Sequence, residues 1–270
     1  MEKLIITIAP TGNVPTKALT PHVPVTAQQI ADDIALCYEK GARVAHIHAR
    51  DDEEKPTTEL KYFAAITKCL DENKCPIVRQ ISTGARGGKS GEARAESLVL
   101  NPDSASLSTG SSNFPTSINA NDPQLVEYMA KIMLEKNIKP EIEVFDTAMI
   151  ANAVELQKKG LLKGPLLFNL VMGVKGSLPA TPKNLFFLVD SLPEGAAWSI
   201  SAIGQKHVEL STIAIGLGGH VRVGIEDNVY FTKGVLATNA MLVERMVGIA
   251  KAVGREIATV EDVKRIWGVG

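Results

Sequence analysis

The sequence is poor in several features that would assign it to a specialised class of protein. Aromatic side chains make up 5% of its 270 residues, and there are only three cysteines. Cys37, Cys69 and Cys75 are odd in number and lack the spacing of metal ligands, which argues against a disulfide framework and indicates small buried thiols. A formal net charge of -1 provides no broad positive field for nucleic acid or an anionic membrane.

Long hydrophobic runs are also missing. The apolar run at residues 4–9 is too short for a signal-peptide core or a membrane span, and only Lys3 precedes it as a basic residue. We therefore expect a cytoplasmic protein with neither a membrane nor a nucleic-acid partner. A composition of 45% hydrophobic and 22% charged residues is typical of a globular protein that can bury a sizeable core.

What the sequence does contain is a regular alternation of strand and helix patterns. The first helix carries signals at both ends, with Thr26 as N-cap, Gln29 as its capping-box partner and Gly41 as the stop. The predicted strands are 3–9, 43–49, 76–81, 103–107, 141–145, 165–171, 196–201 and 220–224. The predicted helices are 27–40 and then about 58–72, 91–98, 122–137, 147–159, 182–190, 205–216 and 236–253. This order favours a closed (β/α)8 barrel over an open doubly wound sheet, with residues 1–270 as a single domain.

Two histidines stand at the end of the second predicted strand, in the stretch VAHIHARDD (residues 44–52). Active sites of barrel enzymes lie at the carboxyl ends of the strands. Residues two apart in a strand share a face, so His46 and His48 can bind one metal ion together. The alternative is that both are hydrogen-bonded interior side chains.

A third ligand can come from the eighth strand, because Glu226 and Asp227 follow it directly in GGHVRVGIEDNVY. In a closed barrel the eighth strand is two places from the second, so a carboxylate at its end can reach a metal held there. His46, His48 and Glu226 with one open position would form a catalytic zinc site. Equally, Arg222, Glu226 and Asp227 could form a capping and salt-bridge cluster.

Other strand ends are also polar. The segment 84–90 looks like a phosphate-binding P-loop, but Thr83 occupies the position where that motif needs glycine. Its backbone N–H groups, with Ser82 and Thr83, could hold a carboxylate or phosphate, or the segment could be a plain loop. Glu143 on the fifth strand faces the lumen and must pair with a cation, a hydrogen-bond donor or a metal, or serve a purely structural role.

The motifs GARVAHIHARDD, QISTGA, ASLSTGSSNF, PEIEVFD and GGHVRVGIEDNVY, in this order and spacing, resemble the β-keto acid cleavage enzyme family, which includes the 3-keto-5-aminohexanoate cleavage enzymes. The resemblance covers nearly the whole chain. It implies a (β/α)8 barrel, a homotetramer, one divalent metal, usually zinc, and a reaction that converts a β-keto acid and acetyl-CoA into acetoacetate and a new acyl-CoA.

The resemblance also implies a role for each residue that matches the family pattern. His46, His48 and Glu226 would hold the metal. Arg222 and Asp227 would form the acid/base and positioning pair, and Glu143 would be the buried acid that orients them. Binding of the substrate carboxylate and carbonyl would fall to Ser82, Thr83, Gly84 and Ser106.

Two departures from the family pattern bear on the substrate. Asn13 and Val14 stand where members that act on amino-bearing keto acids carry an acidic residue, so a neutral or apolar substrate side chain is expected. The family pattern usually has two glycines after ST, whereas this chain has only Gly84 there. In the segment that follows, Arg86 and Lys89 could meet a substrate carboxylate or the phosphates of coenzyme A.

Two other classes of protein remain as alternatives. A zinc-dependent barrel hydrolase of the amidohydrolase type also has HxH at the barrel rim, but it needs further histidines after strands five and six. The five histidines here are His22, His46, His48, His207 and His220, and none falls there. A non-catalytic barrel that binds a small molecule would not need Arg222 and Asp227.

Overall fold

Eight parallel strands form a closed barrel in the computed structural model, which describes residues 1–84 and 89–269. We number these barrel strands along the chain: β1 Ile6–Ile8, β2 Val44–Ile47, β3 Val78–Ile81, β4 Ser104–Ser108, β5 Lys139–Val144, β6 Leu167–Met172, β7 Ala197–Ala202 and β8 His220–Val223. β1 closes the barrel between β8 and β2, with Ile6 opposite Val221 and Thr7 opposite Val44. The predicted (β/α)8 barrel is confirmed.

Helices connect the strands. They are α1 Ala27–Lys40, α2 Leu60–Glu72, α3 Gly91–Ala95, α4 Pro123–Glu135, α5 Thr147–Lys158, α6 Pro182–Asp190, α7 His207–Gly216, α8 Asn239–Ala252 and α9 Val260–Trp267. The predicted capping box of α1 is confirmed, because the Thr26 side chain accepts from the Gln29 N–H while the Gln29 side chain accepts from the Thr26 N–H. Gly41 ends α1 with a φ of 122°, a conformation that glycine adopts without strain.

Several bounds of the prediction were wrong, and α9 was not predicted. β2 ends at Ile47 rather than at residue 49, since Ala49–Arg50 pairs with Pro56–Thr57 in a separate hairpin. The eighth helix begins at residue 239 rather than 236, because Tyr230–Thr232 and Val235–Leu236 form another hairpin. The third helix ends at Ala95 and continues as a 3-10 helix, Glu96–Leu100.

The two faces of the strands have different partners. The outward-facing residues of β5, Ile142 and Val144, are buried in the large core cluster that the helices share. The lumen is apolar around Leu167, which packs in a cluster with Trp267 of α9. Glu141, which is opposite Leu167 in the register of β5 and β6, is a buried polar group below the strand ends. The polar groups of the barrel therefore lie above an apolar floor that α9 helps to form.

No helix within residues 1–84 and 89–269 is both long enough and apolar enough to cross a membrane. The three cysteines are free thiols. Cys37 and Cys75 are buried and Cys69 is half-buried, as their position in and beside the predicted helices indicated.

Candidate active site

The ends of β2 and β8 bring two histidines and a carboxylate together. The Nε2 atoms of His46 and His48 are 3.3 Å apart, and His48 Nε2 lies 3.3 Å from Glu226 Oε1. One ligand atom from each of the three residues lies within 4.8 Å of the other two, a separation at which they could hold one metal ion. These three residues come together because β1, which separates β2 from β8, is short and ends below them.

Gln80 of β3 fixes the orientation of His46. The Gln80 Oε1 atom is 2.6 Å from His46 Nδ1, and because an amide oxygen only accepts, the imidazole proton is on Nδ1. The lone pair on Nε2 then faces His48. Burial, with a smaller contribution from Arg222, lowers the pKa of His46 well below its usual value, so the ring is neutral as a metal ligand must be. Gln80 was not among the predicted site residues, although alternation along β3 places it on the inward face.

Two glycines shape the position of Glu226. Gly224 has a φ of +155°, and a Cβ on it would lie 1.9 Å from the Ala9 carbonyl oxygen. Gly12 has a φ of +60°, and a Cβ there would lie 2.4 Å from Glu226 Cγ. The second carboxylate oxygen of Glu226, Oε2, is buried without a hydrogen-bond partner in the described part of the chain. A buried carboxylate oxygen without a donor is unfavourable, so this atom is suited to a cation.

Arg222 of β8 is the centre of a buried ionic cluster. Its Nη2 is 2.7 Å from Glu226 Oε1, and its Nε and Nη2 donate to the two carboxylate oxygens of Asp227 at 3.1 and 3.2 Å. Its Nη1 is 3.5 Å from Glu143 Oε1, and the other oxygen of Glu143 accepts from the Ser108 hydroxyl at 3.4 Å. One guanidinium therefore neutralises three carboxylates only in part.

The neighbouring acids Glu226 and Asp227 have pKa values that their surroundings shift in opposite directions. Burial acts to raise the pKa of Glu226, but the charges of Arg222 and His48 outweigh it and hold that pKa well below its usual range. For Asp227, burial prevails over Arg222 and raises the pKa to about 6. Burial also raises the pKa of Glu143. Glu226 is thus a permanent carboxylate, whereas Asp227 can exchange a proton near neutral pH.

The four residues predicted to bind the substrate divide into two pairs. Ser82 and Gly84 line the cavity above the cluster. Thr83 and Ser106 are buried and bond to each other, with Thr83 N donating to Ser106 Oγ at 3.1 Å and the Thr83 hydroxyl donating to the Ser106 carbonyl at 2.7 Å. Substrate binding by Thr83 and Ser106 stays a prediction. Arg94, a buried arginine that was not among the predicted site residues, donates its Nε to the Thr83 carbonyl at 2.8 Å.

Of the two basic residues predicted to meet a substrate carboxylate or the phosphates of coenzyme A, only Lys89 lies within the described residues. Arg86 lies outside the described residues. The Lys89 ammonium donates to the Thr58 hydroxyl at 3.0 Å. Arg50, the third polar residue of the HIHAR stretch, donates to the carbonyls of Pro15 and Glu54 at 2.8 and 3.0 Å and so holds loops together beside the cluster.

A cavity of about 1310 Å³ opens above the cluster. Its inner wall includes His48, Glu143, Arg222, Glu226 and Asp227. Its other walls carry many apolar side chains, among them Val14, Leu19, Phe114, Phe145, Val174 and Ile203. Val14 is 53% exposed and presents no charge to this space. The cluster is therefore the inner end of a large, mostly apolar binding site.

Comparisons with known proteins agree with this description. The family model for "beta-keto acid cleavage enzyme" matches residues 3–269, and the chain belongs to the β-keto acid cleavage enzyme family. Its reaction is the cleavage of a β-keto acid. The family resemblance seen in the motifs is therefore confirmed.

Curated relatives match over almost their full length. The 3-keto-5-aminohexanoate cleavage enzyme of Fusobacterium nucleatum is 41% identical over 98% of this chain and 98% of its own. The 3-oxoadipate:acetyl-CoA acetyltransferase of Cupriavidus necator is 39% identical over 98% of this chain and 94% of its own. Among solved structures, ObcA in complex with a C4-CoA adduct and oxalate aligns with a TM-score of 0.77 over 92% of this chain and 68% of its own, at 22% identity. The last similarity supports the barrel fold.

Proposed function

We propose that the chain converts a β-keto acid and acetyl-CoA into acetoacetate and a new acyl-CoA, with a zinc ion held by His46, His48 and Glu226. The use of acetyl-CoA is supported by relatives at 39% and 31% identity whose names include it, a 3-oxoadipate:acetyl-CoA acetyltransferase and a 3-dehydrocarnitine:acetyl-CoA trimethylamine transferase. The observation that carries the metal proposal is the cluster of two imidazoles and a carboxylate with an unpartnered buried oxygen.

The charges of the cluster also fit a divalent cation. Arg222 is within 4.0 Å of Glu143, Glu226 and Asp227, so the ionised cluster has two more negative charges than positive ones. Two histidines and one carboxylate with an open position form a ligand set typical of catalytic zinc. Bound there, zinc would act as a Lewis acid that polarises the keto group and makes the C2 protons of the substrate more acidic.

Asp227 is the proposed base. Its carboxylate removes a C2 proton from the keto acid, and the C2 carbon then attacks the acetyl carbonyl of acetyl-CoA, which releases the thiolate of coenzyme A. The thiolate attacks the original keto carbon. Cleavage of the bond between that carbon and C2 gives the new acyl-CoA, and protonated Asp227 returns the proton to C2 to give acetoacetate. A pKa raised by burial to about 6 suits a group that takes and returns a proton near neutral pH.

Arg222 and Glu143 position this base. The bidentate contact between Arg222 and Asp227 fixes the carboxylate plane, and the Glu143 contact holds the guanidinium from the other side. The substrate carboxylate and carbonyl are bound at the ends of β3 and β4, by Ser82 and Gly84 in the cavity wall and by Thr83 and Ser106 behind them.

The side chain of the keto acid is proposed to be neutral or apolar. Asn13 and Val14 line the cavity and provide no acid to pair with an ammonium group. Turnover with a panel of β-keto acids that differ in side-chain charge tests this. Acetoacetate formation from a neutral member and not from the amino-bearing one is expected, and a preference for the amino substrate would contradict the role given to Val14.

Substitutions separate the roles of metal and base. His46→Ala and His48→Ala should lose zinc and activity together, whereas Asp227→Asn should keep stoichiometric zinc and lose roughly 100-fold or more in kcat, the usual contribution of a positioned base. His22→Ala, at an exposed histidine outside the site, is the matched control. Zinc measured by elemental analysis and acetoacetate measured in the same preparations are the readouts. Full zinc in His46→Ala would refute the ligand assignment, and near-normal turnover of Asp227→Asn would refute the base.

The chain lacks the histidines that a hydrolase of the amidohydrolase type needs after strands five and six. His207 begins α7, after β7, and His220 begins β8, so neither stands after β5 or β6.

Three further statements stay predictions: one domain over residues 1–270, a homotetramer, and a cytoplasmic location. Limited proteolysis, light scattering and cell fractionation test them in that order.

A further inference from the structure

The outer part of the cavity has a charge opposite to that of its inner end. The inner end carries Glu143, Glu226 and Asp227, whereas the lysines that line the cavity, Lys175 and Lys233, stand at its mouth. No aspartate or glutamate other than the three inner acids is among the described residues that line the cavity. With the proposed zinc bound, the inner cluster is close to neutral, so the two lysines leave the mouth with a net positive charge that attracts an anionic group.

The two lysines reach the mouth from different loops. Lys175 follows β6, and Lys233 lies at the tip of the hairpin formed by Tyr230–Thr232 and Val235–Leu236. Both are exposed, and within residues 1–84 and 89–269 neither ammonium has an ion pair or a hydrogen bond. By contrast, Lys206 beside the same cavity is paired with Glu209 at 2.5 Å. Both ammonium groups at the mouth are thus available to a ligand.

The hairpin that carries Lys233 is held in place by Arg245 of α8. The Arg245 Nη1 donates to the Phe231 carbonyl at 2.8 Å, and its guanidinium lies 3.3 Å from the centre of the Phe231 ring. The same nitrogen is 3.3 Å from His207 Nε2 at the start of α7. Lys233 is therefore presented by a supported turn, and less entropy is lost when it binds a ligand than on a free loop.

The cavity is large enough for two reactants at once. Its volume of about 1310 Å³ exceeds the roughly 300–1,000 Å³ of a site for one small ligand. One end of acetyl-CoA is an uncharged thioester that must reach the inner cluster, and the other end carries the phosphate groups. A molecule laid along the cavity with its acetyl group innermost brings those phosphates toward the exposed loops after β6 and β8.

We propose that Lys175 and Lys233 bind the phosphate groups of acetyl-CoA and so set the direction in which the co-substrate enters the cavity. The proposal rests on acetyl-CoA being the co-substrate and adds the site of its anionic end. Ammonium groups bind phosphate as compact point charges, and two of them on separate loops can contact a diphosphate from two sides. The other anion that could reach them is a carboxylate at the end of the keto acid side chain.

Binding without turnover tests the proposal independently of the reaction mechanism. Acetyl-CoA and acetyl-pantetheine, which has the same thioester arm without the diphosphate or nucleotide, are titrated calorimetrically into zinc-loaded wild type, Lys233→Glu, Lys175→Glu and the double variant. Lys251→Glu, an exposed residue on α8 outside the cavity, is the matched control for the change in net charge. Thermal unfolding of each variant checks that it is folded.

We expect each reversal at the mouth to weaken acetyl-CoA binding by about tenfold, which corresponds to about 1.4 kcal/mol, and the double variant to lose more. Acetyl-pantetheine binding and the Lys251→Glu control should stay at the wild-type value. In turnover, the KM for acetyl-CoA should rise while the KM for the keto acid does not. Unchanged acetyl-CoA affinity in the double variant would overturn the proposal. So would a rise in the keto acid KM alone, which would assign the lysines to a substrate carboxylate.

Discussion

Replacement of Gly12 by alanine should have two separate effects, a loss of fold stability and a loss of zinc affinity. Gly12 has a φ of +60°, so an alanine there costs roughly 1–2 kcal/mol in backbone strain. The new Cβ would also lie 2.4 Å from Glu226 Cγ, whereas ordinary contact begins at 3.4 Å, so the Glu226 side chain must move by about 1 Å. Metal–ligand distances are fixed to about 0.2 Å, so a shift of that size removes the carboxylate from a productive position.

We therefore expect Gly12→Ala to bind zinc at least about 10- to 100-fold more weakly than wild type, the range typical when a ligand loses its support. Gly254→Ala is the matched control, since Gly254 has a similar φ of +73° and a Cβ there would meet no other atom within 4 Å. Competition with a chromophoric chelator gives the zinc affinity, and urea unfolding of the metal-free proteins gives the backbone cost. Wild-type zinc affinity in Gly12→Ala would refute the reasoning.

Two further predictions concern the polar lumen below the site. Burial raises the pKa of Glu141 to about 7. Between about pH 4.5 and 7 the carboxyl of Glu141 is therefore ionised in the unfolded chain but still protonated in the folded one. The free energy of unfolding falls as pH rises through this range, by about 3 kcal/mol in total. Glu141→Gln should flatten this slope in urea unfolding between pH 5 and 8, and a slope parallel to wild type would contradict the assignment. Gln80→Leu should weaken zinc binding about 10- to 100-fold by freeing His46, whereas Gln80→Glu keeps the acceptor and should lose less; equal affinities in all three proteins would exclude an orienting role.

Much of the fold could be predicted from local sequence patterns. Short apolar runs and helix signals such as the Thr26 and Gln29 capping box predicted the barrel, and closure of the barrel predicted that the ends of β2 and β8 would meet. The final helix, α9, was missed even though Thr259 and Asp262 form a second capping box, because the alternation of strand and helix was already complete. Sequence patterns also gave the outward-facing apolar positions of the strands.

The contacts that orient the site were not predictable from periodicity. Alternation places Gln80 on the inward face of β3, but its hydrogen bond to His46 depends on the register between β2 and β3, in which the two residues are opposite each other. The mutual hydrogen bonds of Thr83 and Ser106 likewise depend on how two neighbouring strand ends meet. Family motifs identify such residues, whereas only the packed structure shows which of them bond to each other.

The position of β1 between β2 and β8 gives the proposed zinc a second consequence. Ligands on β2 and after β8 are separated by most of the chain, so an ion bound to both closes a long loop across the seam where the barrel meets itself. Every factor of ten in free zinc above the dissociation constant then adds about 1.4 kcal/mol to the closed barrel relative to the unfolded chain. Chelation should therefore loosen this seam first, and hydrogen exchange of the β1 amides would report its opening before the rest of the barrel unfolds.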